Sequence, residues 1–426
     1  MTGAPVPENQ HARALDDADA LAPFRDEFLI PPHGDRAQIY LCGNSLGLQP
    51  KATRTALIDE LDDWASFGVE AHFRGRHPWM PYHAEVREHL AEIVGAKPGE
   101  VVAMNSLTTN LHLMMVGFYR PTRERPAILI ERNAFPSDRY AVESQIRFHG
   151  FDPADALIEL DGDDNAVLSD ATIAETIERH GHRIALVLLP GVQYLSGQVF
   201  DLRMIADLAH AKGCVVGFDL AHATGNIDLH LHDSGADFAV WCSYKYLNSG
   251  PGSVAGCFVH ERHAHSDRPR FAGWWGHDQD TRFKMGPNFV ATPGAEGWQL
   301  SNPPIFALAP LRVSLEIFHR AGMSRLREKS IALTGYLESL IRKKLSDVLD
   351  IATPSKLEQR GCQLSLRVRG PRDAGRSLYE HLLENGVIVD WREPDVIRAA
   401  PTPLYNRFQD CIAFVDAVLK WRSVKN

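Results

Sequence analysis

The chain has 426 residues, 44% hydrophobic and 23% charged, with 54 acidic against 45 basic side chains and a formal charge of −9. Such a composition is near the globular average and the length allows a large core with a smaller satellite, which excludes intrinsic disorder, a collagen-like repeat and a small disulfide scaffold. A mildly acidic chain is also poorly suited to neutralising phosphates, which argues against nucleic-acid binding.

Residues 1–35 are polar, carry Pro31 and Pro32, and read as an arm before the body. The arm has acidic residues and no apolar h-region, unlike a signal peptide, and no run in the chain approaches the ~18 apolar residues of a membrane span. A short apolar strand at 39–42 runs into the turn-rich Gly43-Asn44-Ser45-Leu46-Gly47, and helical patterns follow at 51–67 and 81–95. From 100 to 260 the chain alternates. Strands are expected at 101–104, 127–131, 184–189, 215–218, 238–242 and 254–259, with helices at 107–118, 136–148 and 202–212. This is the pattern of βαβ units around a mostly parallel sheet, in which ligands sit beyond the carboxyl ends of the strands. Long helices over 305–346 lead to a smaller α+β unit, with strands at 363–368, 387–391 and 396–399 and helices at 373–385 and 406–422. The expected organisation is an arm (1–35), a large domain (36–305) and a small C-terminal α+β domain (306–426), with 36–95 as a segment able to pack on the latter. Cys42, Cys214, Cys242, Cys257, Cys362 and Cys411 show no CxxC spacing and lie mostly in apolar runs, as expected of reduced thiols in a cytoplasmic protein.

Two strand ends carry most of the chemistry. The run Val215-Val216-Gly217-Phe218 ends in Asp219, with His222 three residues on. A carboxylate at a buried strand end needs a partner, which a pyridinium N–H supplies; such aspartates also simply cap the next turn. Trp241-Cys242-Ser243-Tyr244-Lys245 places a lysine among apolar neighbours, where a lowered pKa favours Schiff-base formation, although lysines also snorkel from strand ends. Together, Asp219 and Lys245 fit pyridoxal phosphate: the carboxylate keeps the ring nitrogen protonated and the amine holds the aldehyde as an imine. Asn105-Ser106-Leu107-Thr108-Thr109, after the strand at 101–104, offers N–H groups at a helix N-terminus for the phosphate, or an ordinary N-cap. In Ala134-Phe135-Pro136-Ser137-Asp138, Phe135 suits stacking on a planar ring and Asp138 suits bonding a phenolic oxygen or helping to hold the cofactor; Pro136 at a first helical position explains the same string without function. Arg398, in the strand at 396–399, is suited to a substrate carboxylate or to a structural ion pair. His230 and His232, two apart on an expected strand, face one way, but no third ligand stands at recognisable spacing, so no metal is expected.

These segments, with Gly43-Asn44-Ser45-Leu46-Gly47-Leu48-Gln49-Pro50, Gly273-Trp274-Trp275-Gly276-His277 and Ile397-Arg398-Ala399-Ala400-Pro401, resemble fold-type I pyridoxal-phosphate enzymes of the class-V aminotransferase superfamily, and within it the kynureninases. The matches run in order from about residue 39 to 420. The resemblance implies that Lys245 carries the cofactor and shuttles the Cα proton, that Asp219 pairs with the ring nitrogen with His222 beside it, and that Leu107, Thr108 and Tyr244 hold the phosphate. It implies that Phe135 stacks on the ring, with Pro136, Ser137 and Asp138 close by. Trp274 and Asn302 would reach the site from the neighbouring subunit of a homodimer, Arg398 would bind the substrate α-carboxylate, and Ser45 and His72 would lie near its aromatic end. One departure is Pro190, which stands where the family has a hydroxyl residue and has no N–H or hydroxyl to give.

The implied reaction is hydrolytic Cβ–Cγ cleavage of L-kynurenine or 3-hydroxy-L-kynurenine to L-alanine and anthranilate or its 3-hydroxy form, in tryptophan catabolism or NAD biosynthesis. Tyr244 is placed to act as an acid–base near the phosphate. Asn302 and His72 are polar groups able to recognise a ring hydroxyl, which favours the 3-hydroxy substrate. The rival readings are a cysteine desulfurase using Cys362, a metal-dependent hydrolase using His230 and His232, and a binding protein that kept the fold.

Overall fold

A computed structural model describes residues 8–425. Residues 1–7 of the expected arm lie outside the described residues. The rest of the arm holds a helix, α1 (Glu8–Asp17), and it docks on the C-terminal part of the chain. Asp19 forms a buried ion pair with Lys329 at 2.7 Å, which ties the arm down. The strand expected at 39–42 is β1 (Ile39–Tyr40), followed by α2 (Ala52–Phe67). The helix expected at 81–95 is broken into a turn, Tyr82–Glu85, and α3 (Arg87–Val94).

The alternating region then runs β2 (Val101–Ala103), α4 (Leu107–Phe118), β3 (Ala127–Glu131), α5 (Pro136–Phe148), β4 (Leu157–Leu160), α6 (Asp170–His180), β5 (Ile184–Pro190), α7 (Leu202–Ala211), β6 (Val215–Asp219), β7 (Phe238–Trp241) and β8 (Gly256–Val259). β4 and α6 are absent from the expectations above. β4 is a half-buried edge strand interrupted by Glu159, so it lacks the apolar run of its neighbours. The seven strands form one sheet in the order β2-β8-β7-β6-β5-β3-β4. All pairs are parallel except those of β8, which runs antiparallel to β7 and β2. The reason is the connection: parallel strands need a long crossover, and residues 242–255 return without a helix.

The sheet is buried on both faces, so its strands read as continuous apolar runs. Side chains alternate between faces. Ala127 and Leu129 of β3 join a core with α3, α6 and α7, whereas Ile128 and Ile130 join a second one with Leu111, Met114 and Phe118 of α4 and Val142 and Ile146 of α5.

The long helical pattern at 305–346 splits at Gly322 (φ 77°) into α8 (Ile305–Ala321) and α9 (Met323–Lys344). α8 packs with the sheet core through Leu308, Leu311 and Leu315, while α9 enters a separate core from Leu333 onward. That core is completed by β9 (Leu349–Ile351), β10 (Leu364–Val368), α10 (Ala374–Glu384), β11 (Val387–Ile388), β12 (Asp390–Arg392), β13 (Val396–Ala399) and α11 (Phe408–Lys425). The single strand expected at 387–391 is two strands. β12 joins the antiparallel sheet β9-β10-β13-β12, and β11 pairs in parallel with β1. Ile39 and Leu41 thus belong by packing to the C-terminal core, whereas Tyr40 and the helices α2 and α3 lie against the sheet core.

Asp16 caps α11 from the arm, accepting the N–H groups of Phe408 at 2.7 Å and Gln409 at 3.1 Å. Helix N-termini leave such donors without intrahelical partners. Asp16→Ala is expected to lower stability by about 1–2 kcal/mol, read as a lower urea midpoint, and Asp16→Asn is expected to restore most of it.

Candidate active site

The carboxyl ends of β3, β5, β6 and β7 open on one cleft. Asp219, the last residue of β6, is buried there and its Oδ1 accepts the N–H of Ala221 at 2.6 Å. Asp138, in the first turn of α5, faces it and shares a hydrogen bond with it. Two carboxyl groups in such contact need a proton between them. Burial, then the charge of Asp219, then that hydrogen bond hold Asp138 well above the usual carboxylate range, with Glu131 adding to this and Lys245 opposing it. Asp138 Oδ1 is buried with no hydrogen-bond partner among the described residues. Glu131, the last residue of β3, is a third carboxyl in the same cleft. Burial pushes it up to about 8, the Gln193 amide opposes this and Asp219 adds to it.

Lys245 lies in the return loop after β7. Its Nζ is 3.0 Å from Nε2 of His222 and 5.9 Å from the centre of the Phe135 ring. Burial, and then the charges of Lys245, Arg398 and Arg392, hold His222 well below the ordinary imidazole range. The histidine is therefore neutral, accepts from the lysine through Nε2 and carries its proton on Nδ1, which has no partner among the described residues. Tyr244 borders the cleft, and burial raises its phenol above the ordinary range, so it stays protonated. The lysine loop is braced by a close approach. Gly47 N donates to Tyr244 O at 2.9 Å, and a Cβ on Gly47 would fall 2.7 Å from the Cα of Asn248.

An anion site stands at the other end of the cleft. The N-termini of α4 and α5 converge there, with Thr108 Oγ1 2.9 Å from Ser137 Oγ. First-turn N–H groups and the positive end of a helix dipole favour a phosphate. Asn105 makes the turn (φ 49°), and its amide is held by Asn110, which in turn donates to Met104 O at 2.9 Å. The donor set fits pyridoxal phosphate. Asp219, backed by Asp138, suits a protonated ring nitrogen; Lys245 suits the aldehyde; Leu107, Thr108 and Ser137 suit the phosphate; Phe135 and Ala221 border the space a ring would take.

Of the expected residues, Leu107, Thr108, Phe135, Ser137, Asp138, Asp219, His222, Tyr244 and Lys245 line this one cleft, and Pro136 starts the helix beside it. Pro190 lines it too, in register with Asp219 across β5 and β6. Arg398 is fully buried in β13 and engaged: Nε and Nη2 lie 2.9 and 2.8 Å from Asp390, and Nη1 donates to Tyr194 O at 2.7 Å. The ion-pair alternative for Arg398 is thus realised in this structure. Arg398, Ser45, His72, Trp274 and Asn302 do not line the cleft. His72 is bonded to Val69 O at 3.0 Å and stacks edge-on with Trp79, Trp274 Nε1 donates to Arg282 O at 3.2 Å, and Asn302 is exposed. Glu131 and Tyr194 are additions. Glu131 ends an apolar strand just as Asp219 does, which was a readable signal. Tyr194 sits in a loop without periodicity and stacks edge-on against Phe135 at 5.3 Å.

The rivals fare poorly. Cys362 is buried and its thiol is pushed up to about 12 by burial, the opposite of an activated nucleophile. Residues 231–234 form a helical turn instead of the expected strand, so His230 and His232 are not paired on a strand face. A local carbonyl pattern closes that turn, with Ser234 N on His230 O at 2.8 Å.

Residues 326–418 match the family model for the kynureninase C-terminal domain. The curated kynureninase of Xanthomonas oryzae pv. oryzae (strain PXO99A) is 64% identical over 412 residues, 96% of this chain and 97% of its own length. That of Xanthomonas campestris pv. campestris (strain 8004) is 62% identical over the same shares. Among solved structures, the cysteine desulfurase CsdA of Escherichia coli has a TM-score of 0.75 at 17% identity, covering 95% of this chain and 98% of its own. The cysteine desulfurase of Thermococcus onnurineus NA1 has a TM-score of 0.73 at 17% identity, covering 99% of each chain. At that identity the likeness is one of fold.

Raised carboxyl pKa values carry a stability signature. Glu131 binds its proton more tightly folded (about 8) than unfolded (4.5), so its contribution is full below 4.5 and is lost as pH rises to about 8. In the cofactor-free protein, Glu131→Gln is expected to flatten the fall in stability across that window, by up to about 5 kcal/mol. Urea unfolding in a pH series measures it.

Proposed function

This chain belongs to the kynureninase family, and we propose that it hydrolyses the Cβ–Cγ bond of L-kynurenine or its 3-hydroxy form, releasing L-alanine and an anthranilate. The observation that carries the reading is the convergence of Asp219, Asp138, His222 and Lys245 in one buried cleft beside two helix N-termini. When bound, pyridoxal phosphate supplies an electron-withdrawing ring that stabilises the electron pairs released at the substrate.

The residues divide the work. Asp219 holds the ring-nitrogen proton, and protonated Asp138 keeps a second negative charge from forming beside it. Leu107, Thr108 and Ser137 bind phosphate oxygens through backbone N–H and hydroxyl groups. Lys245 takes the substrate Cα proton and returns it, and neutral His222 orients its Nζ by accepting from it. Tyr244, kept protonated by burial, donates near the phosphate. Arg398 takes the substrate α-carboxylate, held in place by Asp390 and the Tyr194 carbonyl. Ser45, His72 and Asn302 serve the aromatic end, with Asn302 recognising a ring hydroxyl.

We further propose a homodimer whose second subunit supplies Trp274 and Asn302. Phe271, Phe283, Met285 and Val290, in the segment around Trp274, are exposed, as are Leu61, Trp64, Val69 and Phe73. Exposed apolar surface of this extent suits an interface, and twofold symmetry is the commonest closed arrangement. The organisation into an arm, a PLP-binding domain over 36–305 and a C-terminal domain over 306–426 is supported by the separate C-terminal core, with α8 packed on the sheet side. A cytoplasmic setting is supported by six free cysteines. Among the described residues no helix is long and apolar enough to cross a membrane. The proposed setting is tryptophan catabolism through kynurenine, with NAD biosynthesis when the hydroxylated product is made.

Incubation of the holoenzyme with L-kynurenine is expected to raise anthranilate fluorescence. Lys245→Ala is expected to abolish both turnover and the cofactor's visible imine band; retention of either refutes the assignment. Arg398→Gln is expected to raise KM by a factor on the order of 10–100, the worth of a charged hydrogen bond, while leaving the imine band in place. Mixing inactive Trp274→Ala with inactive Lys245→Ala subunits is expected to restore part of the activity, because one site in the hybrid dimer is then intact; no recovery in a mixed dimer refutes the shared site.

A further inference from the structure

Two histidines and two glutamates lie together outside the cleft, on helices that the reaction does not use. His89 and Glu92 are three apart on α3, and Glu316 and His319 are three apart on α8. Residues at that spacing share a helix face. The two helices pack against each other in the sheet core, which fixes the four side chains relative to one another. His319 Nδ1 is 2.7 Å from Glu92 Oε2, and His89 Nδ1 is 3.8 Å from the same oxygen. One ligand atom from each of these three residues lies within 4.8 Å of the others. Ligands held about 2.1 Å from a tetrahedral ion are about 3.4 Å apart, so the observed separations bracket what one ion needs. The His89 and His319 rings are 4.4 Å apart. No lysine or arginine among the described residues pairs with Glu92, so nothing basic but the imidazoles neutralises it.

We propose that His89, Glu92 and His319 bind a divalent transition-metal ion of the zinc class, with Glu316 as the outer carboxylate. Glu316 Oε2 lies 3.7 Å from His89 Nε2, on the nitrogen turned away from Glu92. A carboxylate on the far nitrogen fixes ring orientation and tautomer and raises ligand basicity. Two imidazoles and one carboxylate suit zinc and its neighbours over calcium or magnesium, which prefer oxygen. The three side chains are partly exposed, which leaves water the fourth position.

The other histidine–glutamate cluster contrasts with this one. Glu100 accepts from Lys97 N, Glu261 N and His232, so both its oxygens are already committed to structure. The proposed ion would join α3, which leads into β2 and the phosphate turn, to α8, whose Ser314 hydroxyl donates to Leu247 O just beyond Lys245. It would clamp the supports of both ends of the cleft.

The test is calorimetric titration of tag-free holoenzyme with Zn²⁺. One ion per chain is expected, with affinity about 100-fold weaker in His89→Ala and in His319→Ala and about 10-fold weaker in Glu316→Gln. His232→Ala is expected to bind as the parent does. Co²⁺ in place of Zn²⁺ is expected to give ligand-field absorption that His319→Ala loses, and Zn²⁺ is expected to raise Tm by a few degrees in the parent and in His232→Ala but not in His89→Ala or His319→Ala. The variants sit on the surface, and matching far-ultraviolet dichroism establishes that they fold. Absence of binding, binding that both histidine variants retain, or binding lost only in His232→Ala overturns the proposal.

Discussion

Three carboxyl groups, Glu131, Asp138 and Asp219, share one buried cleft with a single lysine and a histidine that burial keeps neutral. In a low-dielectric space they cannot all ionise, because each charge raises the cost of the next. Without another cation the protein settles the conflict by keeping protons on Glu131 and Asp138. A protonated ring nitrogen changes the balance, since it supplies the positive charge that Asp219 lacks. The site is thus built for a cationic ligand at one end and an anionic one at the other, where two helix N-termini meet. Strong pKa perturbation at a cleft of this kind is a mark of function.

That concentration of charge depends on the sheet. Glu131 and Asp219 each end a parallel strand, and Lys245 sits in the one return loop that turns back without a helix. Parallel strands place their carboxyl ends on one edge, so residues nearly ninety positions apart in sequence face one another. The apolar strands bury both faces of the sheet and leave only the ends for polar groups. Stability and chemistry are therefore segregated along each strand rather than across it.

The same segregation explains what was legible. The strands ending at Asp219 and Glu131 were readable as apolar runs, and α4, α5 and β13 agree with the expected 107–118, 136–148 and 396–399. Glu131 was readable as a boundary only, because no partner at a recognisable spacing accompanied it. The helix α1 was hidden by its polar sequence, ENQHARALDD, in which Ala12 alone is buried. The His230–His232 strand failed because a two-residue periodicity over so short a span does not exclude a helical turn. Asp390 as the partner of Arg398 follows from the register of β12 and β13, which pairs those residues directly. The pairing is set by a hairpin, and hydrophobic pattern alone does not count hairpin residues.

Arg398 shows how the two cores are linked. Asp390 comes from the C-terminal sheet, whereas the Tyr194 carbonyl comes from the loop after β5 in the sheet domain. Gln363, just before β10, donates to the same carbonyl at 3.1 Å. The Tyr194 ring, in turn, rests on Phe135 at the mouth of the cleft. Arg398 Nη2 stands 2.8 Å from Asp390 Oδ1 yet makes no hydrogen bond among the described residues. Nε is committed to Asp390 and Nη1 to the Tyr194 carbonyl, so Nη2 is the nitrogen with capacity left for a carboxylate. A carboxylate placed there would leave the bonds that join the two cores standing, because neither Asp390 nor the Tyr194 carbonyl has to be displaced.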